Sequence, residues 1–315
     1  MPETLLLSGL CLVFCCGATC VPRSNPADLY APKVVFEEPP TLNALMDQVN
    51  HTTAINVIES NSLKVSSPEI QFRLNGAMTW ERHMKFHFEA RPPGGNMLPA
   101  VIAAGSDDQN FWAKFTFPNR LLVHARYDEF ESQLGERKIL PVSPIWIREA
   151  LGIIEFDPRY AHSGPNPMAD GKVVIETQIP SSRGGYLRKV VLDPRLATIH
   201  QTMLYEVKSG RMIANAHMSK HQLYGEFDGT LPHKIDVTIT PSGSPPLIFG
   251  VEVGNYLINQ PTVGGEERFA IPDSTGIQTF DLTQLNSGGP TVPTSTPTYT
   301  PQRSGAIPGN YSWQR

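Results

Sequence analysis

The stretch Ile70-Gln71-Phe72-Arg73-Leu74-Asn75-Gly76-Ala77-Met78-Thr79-Trp80, followed after Glu81-Arg82-His83 by Met84-Lys85-Phe86-His87-Phe88-Glu89-Ala90, decides the fold. In the first arm Ile70, Phe72, Leu74, Gly76, Met78 and Trp80 alternate with Gln71, Arg73, Asn75, Ala77 and Thr79. Side chains of period two fall on opposite faces of a strand, so one face meets a core and the other meets water. Met84, Phe86, Phe88 and Ala90 repeat the pattern after the polar break, which makes the two arms a hairpin closed by Pro92-Pro93-Gly94-Gly95.

Working outward, Leu98 to Ala104 runs into the turn composition Gly105-Ser106-Asp107-Asp108 and out through Phe111, Ala113 and Phe115, a second hairpin. From Lys172 alternation returns in Val173/Ile175/Thr177/Ile179, Leu187 to Leu192, Met203/Tyr205/Val207, Met212/Ala214/Ala216/Met218, Ile235/Val237/Ile239 and Leu247/Phe249/Val251/Val253. The turns Ser181 to Gly185 and Lys208-Ser209-Gly210 join consecutive strands, so the sheet meanders and is antiparallel. Two segments have helical spacing instead. Thr41 fits an N-cap for Leu42, Leu45, Met46, Val49, Thr53 and Val57, predicting a helix over about 42–58. Ser143-Pro144-Ile145-Trp146-Ile147-Arg148-Glu149-Ala150-Leu151-Gly152 has a cap, proline at the first helical position and glycine past the end, predicting a short helix that plugs the sheet. Residues 156–171, rich in proline and glycine, read as a surface loop. The fold class is mainly β with α (α+β): a strongly curved antiparallel sheet, an incomplete barrel, covered by an N-terminal helix and a short central helix.

The ends of the chain differ in composition from this domain. An apolar run from Leu5 to Cys16 precedes Gly17-Ala18-Thr19-Cys20; it is too short to span a bilayer and has the length of a secretory signal. Residues 1–19 are expected to be a signal peptide. Cys20 would then be the lipidated first residue, as in a bacterial lipobox, although Met1-Pro2-Glu3-Thr4 carries no positive charge and Thr19 is atypical. An ordinary cleaved signal with an unmodified cysteine is the other reading. Residues 20–40 form a proline-rich tether, 41–286 the folded domain, and 287–315 a Pro/Thr/Ser-rich tail expected to be disordered. All four cysteines lie in the leader, so after Cys20 there is neither a disulfide framework nor a thiol nucleophile.

The 26 Lys+Arg against 30 Asp+Glu give no field to attract nucleic acid, and no phosphate-binding glycine loop is present. His83/His87 and His217/His221 have the i,i+4 spacing that chelates a metal on a helix, but they fall in strand-period segments. Four residues there span roughly 13 Å, so no metal and no cofactor is expected. With no Gly-x-Ser-x-Gly elbow, and Asp107-Asp108 consecutive in a turn, the chain is read as a non-enzyme.

The order of elements resembles the bacterial outer-membrane lipoprotein carrier and receptor family, the LolA/LolB-like fold, across residues 41–285. Gly76-Ala77-Met78-Thr79-Trp80-Glu81-Arg82 is similar to that family's glycine, apolar strand and turn arginine, and Met84 to Phe88 to its returning strand. Ser106 to Trp112 resembles its Asp-containing turn into an aromatic strand, Thr198-Ile199-His200-Gln201 its turn entering a strand, and Phe269-Ala270-Ile271-Pro272 its closing Phe-x-x-Pro segment. Gly105 to Trp112, His124 to Asp128 and Leu140 to Gly152 also resemble putative lipoproteins of planctomycete bacteria. The strands between about 232 and 253 and the tail exceed the compact carrier pattern. The resemblance implies an envelope lipoprotein, outer-membrane anchored on the periplasmic side through its N-terminal lipid, that binds lipid or lipoprotein acyl chains. It also implies a strand arginine that holds a helical lid; Arg73 is the counterpart by position, although its phase is opposite to Phe72 and Leu74.

The residues expected to line a hydrophobic site are Phe72, Leu74, Met78, Phe86, Phe88, Trp112, Trp146 and Ile147. Two readings of that face stand. Either it borders a hollow for acyl chains, or these side chains fill a dry core and the protein is a structural or adaptor lipoprotein that meets a protein partner through its loops or tail.

Overall fold

The structure, a computed structural model, describes residues 30–94, 98–116, 120–132, 142–143, 145–180, 184–242, 245–261 and 264–285. The leader with Cys20, the first part of the tether and the tail from 286 lie outside the described residues.

One curved, open sheet carries the molecule. Its strands are β1 (Val57–Ser67), β2 (Ile70–Glu81), β3 (Lys85–Arg91), β4 (Ile102–Ser106), β5 (Asn110–Phe115), β6 (Leu121–Arg126), β7 (Ala161–Pro167), β8 (Val173–Ile179), β9 (Tyr186–Leu192), β10 (Ile199–Glu206), β11 (Met212–Tyr224), β12 (Gly229–Ile239), β13 (Leu247–Val253), β14 (Leu257–Ile258) and β15 (Gln278–Asp281). The path across the sheet is β15-β6-β5-β4-β3-β2-β1-β13-β12-β11-β10-β9-β8-β7, with β14 beside β1. The first six strands are one meander and β7 to β13 another, fused where β1 pairs antiparallel with β13. The short β15 is parallel to β6, an exception to the antiparallel expectation. The chain leaves β6 near one edge and resumes with β7 at the other. Between them in sequence the central helix lies on the concave face.

Register fixes which side chains share that face. Trp80 stands opposite Phe86, Phe86 opposite Ser106 and Ser106 opposite Phe111, while Met78 is opposite Phe88. Beyond β1 the same face continues through Val251, Ile235, Met218, Leu204 and Arg188. The helices are α1 (Leu42–Val49), α2 (Tyr127–Ser132), α3 (Ile145–Ala150) and α4 (Leu282–Leu285). Leu45 and Val49 of α1, Trp146 and Ala150 of α3, and Ile153, Ile154 and Phe156 after α3 join the buried concave-face residues in one core. Phe111, Ala125, Tyr127, Phe130 and Leu282 form a smaller core at the β5–β6 end.

The predicted helix over 42–58 is shorter. Thr41 caps it as expected, its hydroxyl accepting from the Ala44 amide at 3.3 Å, but α1 ends at Val49 and continues as a 3-10 turn over Asn50–Ala54. The Asn50 side chain accepts from the Phe156 amide at 2.7 Å and donates to its carbonyl at 3.1 Å, and the Thr52 hydroxyl donates to Ile154 O at 2.6 Å. Those bonds tie the turn to a distant segment and end the helical period. Val57 instead opens β1, whose alternation is interrupted by an irregularity between Ser60 and Leu63. The expected surface loop over 156–171 contains edge strand β7, where proline is tolerated because among the described residues one side of the strand has no partner, and Phe156 is fully buried. Helices α2 and α4 add to the two expected covers.

Candidate functional site

The sheet's concave face and α3 form the candidate site. Trp146 N donates to Ser143 O at 2.9 Å to start the helix, and Gly152 stops it with φ +86°. A Cβ on Gly152 would stand 2.7 Å from Pro232 Cδ, so the glycine permits both the left-handed turn and the close approach to β12. Trp146 and Ala150 face the core.

A buried ion pair fixes α3 to the sheet. Arg188 Nη1 on β9 donates to Glu149 Oε1 at 2.7 Å, and Nη2 donates to Glu155 O at 3.1 Å and Thr177 Oγ1 at 3.3 Å. The guanidinium also lies 5.1 Å from the Phe156 ring centroid. On the other side Arg82 donates to Ile55 O at 3.0 Å and Thr52 O at 3.1 Å, joining the end of α1 to the β2–β3 turn. The plug is thus α3, the 153–156 strap and the α1 turn, held together by polar contacts to named backbone groups.

The residues predicted to line a hollow divide. Leu74, Met78 and Trp146 are buried in the core, with Phe86 and Phe88 partly buried against it; Ile147, half-buried, borders the cleft beside Trp80 and Phe86. Phe72 shares their phase but sits near the outer end of β2 and is 49 % exposed. Trp112 belongs to the opposite face: it pairs with Gly105, which pairs with His87. There its Nε1 donates to Phe269 O at 3.0 Å, and the segment around Phe269 is clipped down by Arg268–Glu81 at 2.9 Å and Lys85–Glu266 at 2.6 Å. Arg73 faces outward as its phase requires, 3.7 Å from Glu252. Arg188 is a buried arginine that the sequence reading does not single out, although its phase with Val190 and Leu192 is a readable signal.

Among the described residues the clefts at the concave face are small. Two clefts of about 20 Å³ each open beside it, room for roughly one water apiece. One lies between α1 and the β11–β12 turn; the other lies between α3, Trp80 and Phe86. Burial drives the His221 imidazole down to about 4, with its Nε2 2.7 Å from Ile199 O and its ring 5.1 Å from that of His200. Burial also pushes the Tyr224 hydroxyl up to about 12, its oxygen 2.7 Å from His233 Nε2. Among the described residues no group of three or more His, Cys, Asp or Glu is placed to hold a metal, and no helix is long and apolar enough to cross a membrane.

No family pattern matches the sequence, and no curated protein does. Solved structures resemble the fold. A LolA superfamily protein from Nitrosomonas europaea aligns with 9 % identity over 71 % of this chain and 96 % of its own, at a TM-score of 0.43. A putative outer membrane lipoprotein-sorting protein domain from Vibrio parahaemolyticus has 12 % identity over 68 % and 88 %, at 0.40. A DUF1329 family protein from Desulfovibrio piger has 11 % identity over 75 % and 97 %, at 0.45.

Proposed function

We propose that this chain is a non-enzymatic lipoprotein of the bacterial cell envelope, anchored in the outer membrane through Cys20, which holds the acyl chains of lipids or lipoproteins against the concave face. The observation that carries the reading is the manner in which that face is covered. A mainly apolar sheet surface is capped by a six-residue helix whose link to β9 is a buried ion pair. Apolar side chains of similar volume hold such an interface as well or better. An ion pair adds direction: it lets the cover seat in one position and leave as a unit. Once α3 moves, the apolar area beneath it is available to a chain, at about 25 cal/mol per Å² before ordering costs. Native mass spectrometry and lipid extraction of the purified mature protein test this. Co-purifying lipid, or displacement of a hydrophobic fluorophore by acyl chains, is expected; the absence of both would sink it.

The small volume of the two clefts favours a second reading, a structural or adaptor lipoprotein whose core is permanently filled. It requires a protein partner held by the loops or tail, and a defined partner lost on deleting residues 287–315 is the result that would select it.

A further inference from the structure

We propose that the cleft beside α3 seats an anionic head group, so that the ligand is an alkyl carboxylate or alkyl phosphate with its charge at Arg148; this deepens the carrier reading above and rests on it. The cleft's walls differ in chemistry. Trp80, Met84, Phe86 and Ile147 are apolar, His83, Ser106 and Tyr127 add polar groups, and Arg148 supplies a cation at their edge. Among the described residues no carboxylate lies within ion-pair distance of Arg148, and its Nε is buried without an acceptor. Arg82, within electrostatic reach, adds a second positive charge, which a single Glu155 oxygen at 3.8 Å offsets.

The shortage is one-sided. Among the described residues Trp146 Nε1 and Arg188 Nε are likewise buried without acceptors, but neither residue lines the cleft, so Arg148 alone supplies such a donor there. A buried unmatched donor is destabilising, and a carboxylate or phosphate oxygen is the strongest acceptor that satisfies it. An opening of about 20 Å³ admits a single oxygen of the head group and not a chain, so the rest of the head group stands at the mouth beside Arg148. The tail therefore lies along Met84, Phe86 and Ile147, all partly exposed, where displacement of α3 extends its path into the core.

The test is displacement of N-phenyl-1-naphthylamine from the purified mature chain by decanoate, decyl phosphate, decanol and inorganic phosphate, in wild type, Arg148→Gln and Arg148→Lys. Decanoate and decyl phosphate are expected to bind about tenfold or more tighter than decanol, the scale of a charge-assisted hydrogen bond. In Arg148→Gln that advantage disappears, while decanol affinity and melting temperature hold; Arg148→Lys restores part of it. Inorganic phosphate should not compete at millimolar concentration. If it competes as well as decyl phosphate, the seat belongs to a free anion and the amphiphile assignment is overturned. Equal affinities for decanoate and decanol, or an unchanged ratio in Arg148→Gln, overturn the head-group seat and leave the carrier reading standing. If the fluorophore and every probe fail to bind, both fall.

Discussion

Cutting the Arg188–Glu149 pair on one side should destabilise the chain more than removing both partners. The side chains are only 4 % and 11 % exposed and meet at 2.7 Å, so neither charge is solvated when its partner goes. In Glu149→Leu the guanidinium keeps Glu155 O at 3.1 Å and Thr177 Oγ1 at 3.3 Å, two neutral acceptors for a full charge. Breaking a buried pair on one side costs about 3–5 kcal/mol, and the surviving acceptors put this variant near the lower end. Arg188→Met strands a carboxylate under α3 with no cation in reach among the described residues, and belongs near the upper end. The double variant Arg188→Met/Glu149→Leu returns two apolar groups to an apolar interface and is expected within about 1 kcal/mol of wild type or above it. The coupling energy of the cycle is then several kcal/mol.

Urea unfolding followed by tryptophan fluorescence measures all four proteins. With a slope of about 2–3 kcal/mol/M, a single variant should lose roughly 1 M or more in midpoint while the double does not. Two results would refute the reasoning: both singles within about 1 kcal/mol of wild type, or a double variant that loses the sum of the singles. The same proteins bear on function. If the pair lets the cover detach as a unit, the apolar double variant should exchange a bound fluorophore more slowly than wild type despite equal stability.

Three further outcomes are expected. Gly105→Ala places a Cβ 2.6 Å from the Trp112 ring, so the indole must shift off Phe269 O; a loss of about 1–3 kcal/mol with a changed tryptophan emission is expected, and an unchanged urea midpoint would remove Trp112 from the outer-face clip. His221 falls from 6.5 to about 4 in the folded chain through burial, so the unfolded state binds the extra proton: its contribution is whole above pH 6.5, declines as pH falls to about 4, and is constant below. That amounts to at most about 3 kcal/mol, and a urea midpoint that drops over this window equally in His221→Gln would assign the loss elsewhere. Radiolabelled palmitate should enter the wild-type protein in its bacterial host and not Cys20→Ser; label retained in the variant would move the anchor away from Cys20.

Period and phase carried most of the sheet, and long-range pairing decided the rest. The hairpin at Ile70 to Ala90 appears as Trp80 opposite Phe86, and Arg73 points outward as its phase demands. What periodicity lacks is knowledge of what covers each face. α1 stops at Val49 because Asn50 and Thr52 bond to residues 106 and 102 positions away, partners that no local window contains. Alternation alone places Trp112 on a single covered face, whereas its bond to Phe269, on the other face, spans 157 positions. Yet Phe111-Trp112, two bulky apolar residues in succession, is what a strand covered on both faces requires. Arg188 shows the converse case. A cation on the same side of β9 as Val190, and on the same side of the sheet as Ile175, cannot remain there unpaired, so its position demands a buried acid from another element. Glu149 answers from α3, in the stretch of chain between β6 and β7. Local sequence therefore announces that a partner is needed, and the topology selects which residue answers.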